Sequence, residues 1–331
     1  MLILWLQFIM SAVLIIAAGT KLARSADTIA EHTGLGTLWA GVFLLPLATS
    51  LPELVTSWRA AVIMAPDLSV GNVFGSNMFN ITIIAMIDLI TQGKGPVLTR
   101  VSQRHIFTAA MGIILTCYTA LIMLVPIPGS VGWLGLEILP IPLFYILGNW
   151  LLARFERRHV MEVAITDLSA RERSLGQAVF WFVAAAAVIV LAGTSLADTG
   201  EAIARETGMG QTLFGSFFIA ITTSLPEVVT TFTAARMGVL DMAIGNIFGA
   251  NFFNLVIIFF ADLFYTTGPL MQAVSPGHLV TALVSVILTA IAVAGLVYRS
   301  QRSFVSLGFD SISILFGYLF AMTLLFLMGI G

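Results

Sequence analysis

Charge is scarce in this chain. Charged residues make up 10% of its 331 residues and hydrophobic ones 59%, where a soluble protein carries roughly a quarter charged. That scarcity excludes an ordinary soluble domain. There is no basic tract, and the formal net charge is −2, so nucleic acid is not expected as a partner. Cys117 is the single cysteine, which excludes an intrachain disulfide. The four histidines, His32, His105, His159 and His278, share no metal-ligand spacing, and HExxH is absent. A zinc hydrolase therefore has no basis here, and no enzymatic role or cofactor is expected.

What is present is a succession of long apolar runs. A hydrocarbon core takes roughly 20 apolar residues per helix. Ten spans are predicted at about 3–23, 35–63, 68–91, 103–125, 133–153, 175–197, 211–236, 242–265, 277–298 and 307–329. The expected class is an all-α polytopic membrane protein. The N-terminus, MLILWLQFIM, has no basic residue before its apolar run; Lys21 and Arg24 follow it. It reads as a retained first span, not a cleaved signal. One polar stretch, 154–174, divides the chain into five-span halves, 1–153 and 175–331. With the N-terminus outside, 13 of the 15 Lys and Arg residues fall on the inner side. The positive-inside rule then puts both termini outside and 154–174 in the cytoplasm, in the cell membrane.

The halves repeat. TSLPELVTS at 49–57 returns as TSLPEVVTT at 223–231, and GNVFGSNMFN at 71–80 as GNIFGANFFN at 245–254, both at an offset of 174. Residues 49–80 and 223–254 share 17 identities in 32 positions. Five spans is an odd number, so the second half enters the membrane from the opposite side. Two inverted five-helix repeats are the expected architecture, one used by many secondary transporters.

Each TSLPE places a proline and a glutamate at mid-membrane depth. Pro52 lacks the N–H that would bond the carbonyl of Ala48, and Pro226 likewise frees that of Thr222. Free carbonyls at this depth survive only inside protein or around a cavity or ion. Thr49 and Ser50 share a helical face with Glu53, as do Thr223 and Ser224 with Glu227, by their three- and four-residue spacings. Asn77 and Asn80 share another face, as do Asn251 and Asn254. Carboxylates, hydroxyls, amide oxygens and loosened carbonyls form a hard-oxygen set suited to Ca²⁺ or Na⁺. An ionised glutamate at mid-membrane costs at least roughly 2.5–3.5 kcal/mol, and two such groups repel. One divalent ion, two monovalent ions or protons would offset that. Competition of Ca²⁺, Na⁺ and H⁺ for one site is how an antiporter couples opposed fluxes.

Plainer readings exist for several residues. The four asparagines can serve as interhelical hydrogen-bond partners, and Asn72 and Asn246 read as packing polar residues. Asp67 and Asp241 read as N-caps. Asp88 and Asp262 read as interfacial, and Arg59 as lining an outer path or reaching headgroups.

At these motifs the sequence resembles the sodium/calcium exchanger family of the cation/calcium antiporter superfamily. The resemblance implies ten helices with ions bound between the second, third, seventh and eighth spans. It implies central ligands Glu53 and Glu227, added oxygens from Thr49, Ser50, Thr223 and Ser224, and Asn80 and Asn254 at the centre. It also implies that the first and sixth spans slide to alternate access. Two departures stand out. Ala48 and Thr222 replace the family's usual glycine, and Asn254 stands where many members carry aspartate, a change expected to alter coupling or selectivity. The leading expectation is exchange of Ca²⁺ or a related cation for Na⁺. A H⁺-coupled or K⁺-dependent antiporter is the alternative, and a passive cation channel is the reading from another class. The expected partners are inorganic cations and the lipid bilayer.

Overall fold

The computed structural model describes residues 1–91, 95–125, 127–163, 174–207, 221–300, 303–304 and 307–327. The chain is an all-helical, multi-pass membrane protein. Its long helices are α1 (Leu2–Thr33), α5 (Pro66–Ile90), α6 (His105–Leu124), α7 (Pro140–Val163), α8 (Leu175–Glu206), α10 (Leu240–Phe264), α12 (His278–Tyr298) and α13 (Phe309–Leu327). Between α1 and α5 lie α2 (Gly36–Trp39), a π-helical turn (Ala40–Leu44), α3 (Leu45–Thr49) and α4 (Leu51–Val62). Shorter pieces are α9 (Leu225–Arg236) and α11 (Leu270–Ala273). Two small antiparallel hairpins pair β1 (Ser130–Val131) with β2 (Leu134–Gly135) and β3 (Ser303–Phe304) with β4 (Leu307–Gly308). Among the described residues, eight helices are long and apolar enough to cross a membrane, and the bent pair Gly36–Thr49 with Leu51–Val62 makes a ninth. The first part of the expected seventh span, 211–220, lies outside the described residues.

Two helices form the centre. In α5 and α10, 78% of the span is buried, against 22–39% in the other long helices. Neither has a polar face, and a helix apolar all round buries itself on all sides. The helix α10 packs on α4, α5, α6, α9 and the π turn, while α12 and α13 cover α5. Helices α1 and α8 pair along their length at one flank. Their outward residues, such as Leu2 and Leu191, remain about three-quarters exposed at 75% and 74%, as lipid-facing positions are.

Both flank helices outrun their predicted spans, 3–23 and 175–197. Hydropathy ends at the first charges, but Leu22, Ala23, Ala26, Ile29 and Ala30 keep one face of α1 buried. That helix stops only at Gly34, whose left-handed φ of 65° and N–H to Ala30 O close it. This is a glycine C-cap.

Backbone contact sets the position of the π turn. A Cβ at Gly249 would overlap the carbonyl oxygen of Val42, and one at Gly245 would lie 3.1 Å from Gly41 Cα. Glycines here let the broken second span touch the α10 backbone.

The helix ends are stapled by aspartates, not capped as predicted. Ala65 and Val239 occupy the N-cap positions of α5 and α10. Asp67 instead accepts the Ser275 N–H at 2.7 Å and pairs with His278 Nε2 at 3.2 Å. Asp241 accepts the Ser102 N–H at 2.7 Å and pairs with His105 Nε2 at 2.9 Å. Each aspartate thus holds the other half of the chain. Asp88 and Asp262 lie near helix ends and are buried in the protein. Asp88 accepts from Val97 N (2.6 Å), Gly308 N (3.1 Å) and Ser311 Oγ (2.6 Å). Asp262 accepts from Leu270 N (2.5 Å) and Gly135 N (3.1 Å). A carboxylate fixing loop N–H groups explains burial at a membrane boundary, because both sides are then satisfied. Arg59 pairs with Asp198 of α8.

Gly249→Ala should destabilise the protein by about 1–3 kcal/mol, the usual cost of overpacking. Gly112→Ala, where a Cβ meets nothing within 4 Å, should be neutral or stabilising by up to about 1 kcal/mol. Unfolding midpoints in detergent compare the two, and equal midpoints would contradict the close packing.

Candidate functional site

The repeated proline does not kink a continuous helix; it starts a new one. Ser50 (φ −87°, ψ 9°) and Ser224 (φ −82°, ψ 8°) leave helical geometry, and α4 and α9 begin one residue later. Pro52 and Pro226 fall in the first turn, where no N–H is missed. The bend across Ser50 is 43°. Glu53 and Glu227 also sit in these first turns, where the positive end of the helix dipole favours a carboxylate. Both glutamates are fully buried. The end of α3 at Thr49 faces its last carbonyls toward the same break, because the terminal C=O groups of a helix lack intrahelical partners.

The hydroxyls cross between halves. Ser50 Oγ donates to Glu227 Oε1 at 2.9 Å, and Ser224 Oγ donates to Glu53 Oε1 at 3.1 Å. Sequence spacing paired each serine with the glutamate of its own half. The bend at the serine removes that register, and apposition of the two breaks supplies the other partner.

The asparagines cross as well. Asn77 Nδ2 donates to Asn251 O (3.1 Å) and Asn251 Nδ2 to Asn77 O (2.9 Å). Asn80 Nδ2 donates to Asn251 Oδ1 (3.0 Å) and Asn254 Nδ2 to Asn77 Oδ1 (2.9 Å). These four bonds lock the middles of α5 and α10 together. A second tier ties each half-helix to its neighbour. Asn72 Nδ2 reaches Ser57 Oγ at 3.0 Å, and Asn246 Nδ2 reaches Thr230 Oγ1 and Thr231 Oγ1 at 3.0 and 2.9 Å. Thr223 Oγ1 donates to Asn72 Oδ1 at 3.4 Å. Ala48 and Thr222 are buried beside the breaks.

A remainder of buried oxygens is left. Glu53 Oε2, Glu227 Oε2, Asn80 Oδ1, Asn254 Oδ1, Thr49 Oγ1 and Ser76 Oγ are buried without a hydrogen-bond partner. Buried polar atoms are normally partnered, and each exception calls for an explanation. All six are oxygens able to accept, which is what a hard cation satisfies. Among the described residues, no three His, Cys, Asp or Glu side chains gather in a group that could hold a metal ion. Ser76 escaped the sequence reading because its counterpart at the repeat offset is Ala250. The signal was its place four residues before Asn80, on one helical face. Also unforeseen were the partners His105 and His278, whose separation of 173 falls one short of the repeat offset.

Known proteins resemble this chain over most of its length. The family model described as sodium/calcium exchanger protein matches residues 3–147 and 177–327. The inner membrane protein YrbG of Escherichia coli (strain K12) is 28% identical over 290 residues, covering 84% of this chain and 85% of that protein. The sodium/calcium exchanger MaX1 of Methanosarcina acetivorans is 24% identical over 310 residues, covering 82% and 89%. A solved structure of the sodium-calcium exchanger NCX_Mj, soaked with 100 mM Na⁺ and 10 mM Sr²⁺, superposes with a TM-score of 0.72 at 19% identity. It covers 98% of this chain and 99% of that one, a likeness of fold.

The crossing makes a specific prediction. A double-mutant cycle on unfolding free energy, with Ser50→Ala and Glu227→Gln, should show coupling of about 0.5–3 kcal/mol. The cycle of Ser50→Ala with Glu53→Gln should show markedly less. The reverse order would mean that each serine serves its own half.

Proposed function

This chain belongs to the sodium/calcium exchanger family, and from that premise we propose that it exchanges Ca²⁺ for Na⁺ across the membrane by alternating access. Glu53 and Glu227 are the shared central ion ligands. Thr49, Ser50, Thr223, Ser224, Asn80 and Asn254 complete the site, with Asn77 and Asn251 and the carbonyls of Ala48 and Thr222 beside them. The observation that carries this reading is that each buried carboxylate keeps one oxygen, Glu53 Oε2 or Glu227 Oε2, without a hydrogen-bond partner, as do the amide oxygens of Asn80 and Asn254. Carboxylate, amide and hydroxyl oxygens suit Ca²⁺, which takes 6–8 oxygen ligands in flexible geometry, better than Mg²⁺, which gives up water reluctantly.

The proposed architecture is ten helices in two inverted repeats, 1–153 and 175–331, with both termini outside, 154–174 in the cytoplasm, and the plasma membrane as location. The reciprocal hydrogen bonds support the two-fold relation. Ser50 to Glu227 mirrors Ser224 to Glu53, and Asn77 and Asn251 exchange bonds. The long pair α1 and α8 flanks this core and packs on the half-helices α9 and α4. Sliding of that pair past a fixed site would expose it first to one side and then to the other.

The test is flux. Proteoliposomes loaded with Na⁺ and diluted into Na⁺-free buffer should accumulate ⁴⁵Ca²⁺, and those in Na⁺-matched buffer should not. Glu53→Gln and Glu227→Gln should each abolish the Na⁺-dependent part, a loss of at least about tenfold, since one oxygen charge leaves a low-dielectric site. Uptake driven only by a pH gradient would replace Na⁺ with H⁺ as the coupling ion. Ca²⁺ flux indifferent to Na⁺ in both buffers would make the protein a channel.

A further inference from the structure

Resting on the exchanger reading above, we infer that transport by this protein is electroneutral, two positive charges moving one way for two moving back, and that Asn254 is the residue that fixes this number. The sequence holds 17 Asp and Glu residues. Glu156, Glu162, Asp167 and Glu172 belong to the polar stretch between the halves. Asp27 and Glu31 lie near the end of α1, and Asp198, Glu201 and Glu206 near the end of α8. Asp67, Asp241 and Asp310 stand in first turns. Asp88 and Asp262 are held by loop N–H groups at the far ends of α5 and α10. Glu137 is in the short turn before α7. Two carboxylates remain at the paired breaks, Glu53 and Glu227.

Among the described residues, no positive side chain pairs with them. Helices α5 and α10 contain no Lys or Arg, and neither does α3. Arg59 and Arg236 stand in the last turns of α4 and α9, away from the glutamates in the first. The site's fixed charge is therefore −2 in its ionised form.

Position 254 is held as an amide. Asn254 Nδ2 donates to Asn77 Oδ1 at 2.9 Å, and the matching bond runs from Asn80 Nδ2 to Asn251 Oδ1 at 3.0 Å. A carboxylate at 254 would set acceptor against acceptor across that contact and would raise the fixed charge by one. The crossed amides thus keep the third and fourth polar positions neutral while leaving the oxygens of Asn80 and Asn254 unpartnered.

Uncompensated charge at membrane depth is costly. The loaded forms of lowest energy are those whose ions cancel −2: one Ca²⁺ or two Na⁺. A third Na⁺ would leave an unbalanced positive charge in the buried site. Both loaded carriers then cross the membrane neutral, and a full cycle moves no net charge.

The experiment reads the steady-state Ca²⁺ gradient built by a fixed Na⁺ gradient in proteoliposomes. A tenfold K⁺ gradient is imposed with and without valinomycin, so that K⁺ acts as a voltage only when the ionophore is present. The expected result is the same Ca²⁺ gradient, within twofold, in both. One net charge per cycle would shift it about tenfold, because the potential set by a tenfold ion gradient acts once on each net charge; that shift would overturn the inference and leave the exchanger reading standing. Absence of any Na⁺-driven accumulation would overturn the exchanger reading and this inference with it. Asn254→Asp, adding a third carboxylate, should make the gradient valinomycin-sensitive. An Asn254→Asp protein that still exchanges and remains insensitive would overturn the role given to that residue.

Discussion

Two fully buried carboxylates with no basic partner among the described residues are the constraint on which the rest of this structure depends. Their cost in a low-dielectric site is several kcal/mol each unless they are solvated by something. Each glutamate is placed at the start of a half-helix, where unpaired N–H groups and the dipole favour a negative charge. The proline one position before it lets that half-helix begin there at no cost in hydrogen bonds. The break also requires close support. Glycines on α10 provide it by letting the π turn lie against bare backbone.

The second organising fact is exchange between halves. Serine hydroxyls, asparagine amides and terminal aspartates all reach across the chain's midpoint. Some buried polar groups of each half are satisfied only by the other half. This reciprocity leaves a remainder. Glu53 Oε2, Glu227 Oε2, Asn80 Oδ1 and Asn254 Oδ1 stay unpartnered, with the hydroxyls of Thr49 and Ser76. A structure that needs such a surplus for stability alone is hard to justify, since an apolar core would be cheaper. A transported cation, as proposed, would give it a purpose.

Much of this was legible in the sequence, and the reasons are physical. The scarcity of charge and the length of the apolar runs announce membrane helices, because lipid imposes that pattern. The doubled TSLPE and GNxFGxN announce the site, because a charge and a helix breaker are too costly at that depth to recur by accident. Helix ends were read less well. Hydropathy stops at Lys21, while packing carries α1 to Thr33. Asp67 and Asp241 looked like caps, because their partners, Ser275 with His278 and Ser102 with His105, lie far off in sequence. The crossing of Ser50 to Glu227 was hidden for the same reason. Spacing reports neighbours along one helix, and the break moves the partner to another. Ser76 was passed over because the search followed repeated polar positions, and its counterpart is alanine.

The central claim is that one cation is held between the two halves by Glu53 and Glu227. Anomalous diffraction from crystals of the protein grown in Sr²⁺ tests it most directly. The account predicts a single strong peak at oxygen-bonding distance from both carboxylates, absent in Glu227→Gln crystals. Strong peaks only elsewhere, or a central peak that survives loss of the carboxylate charge, would contradict it.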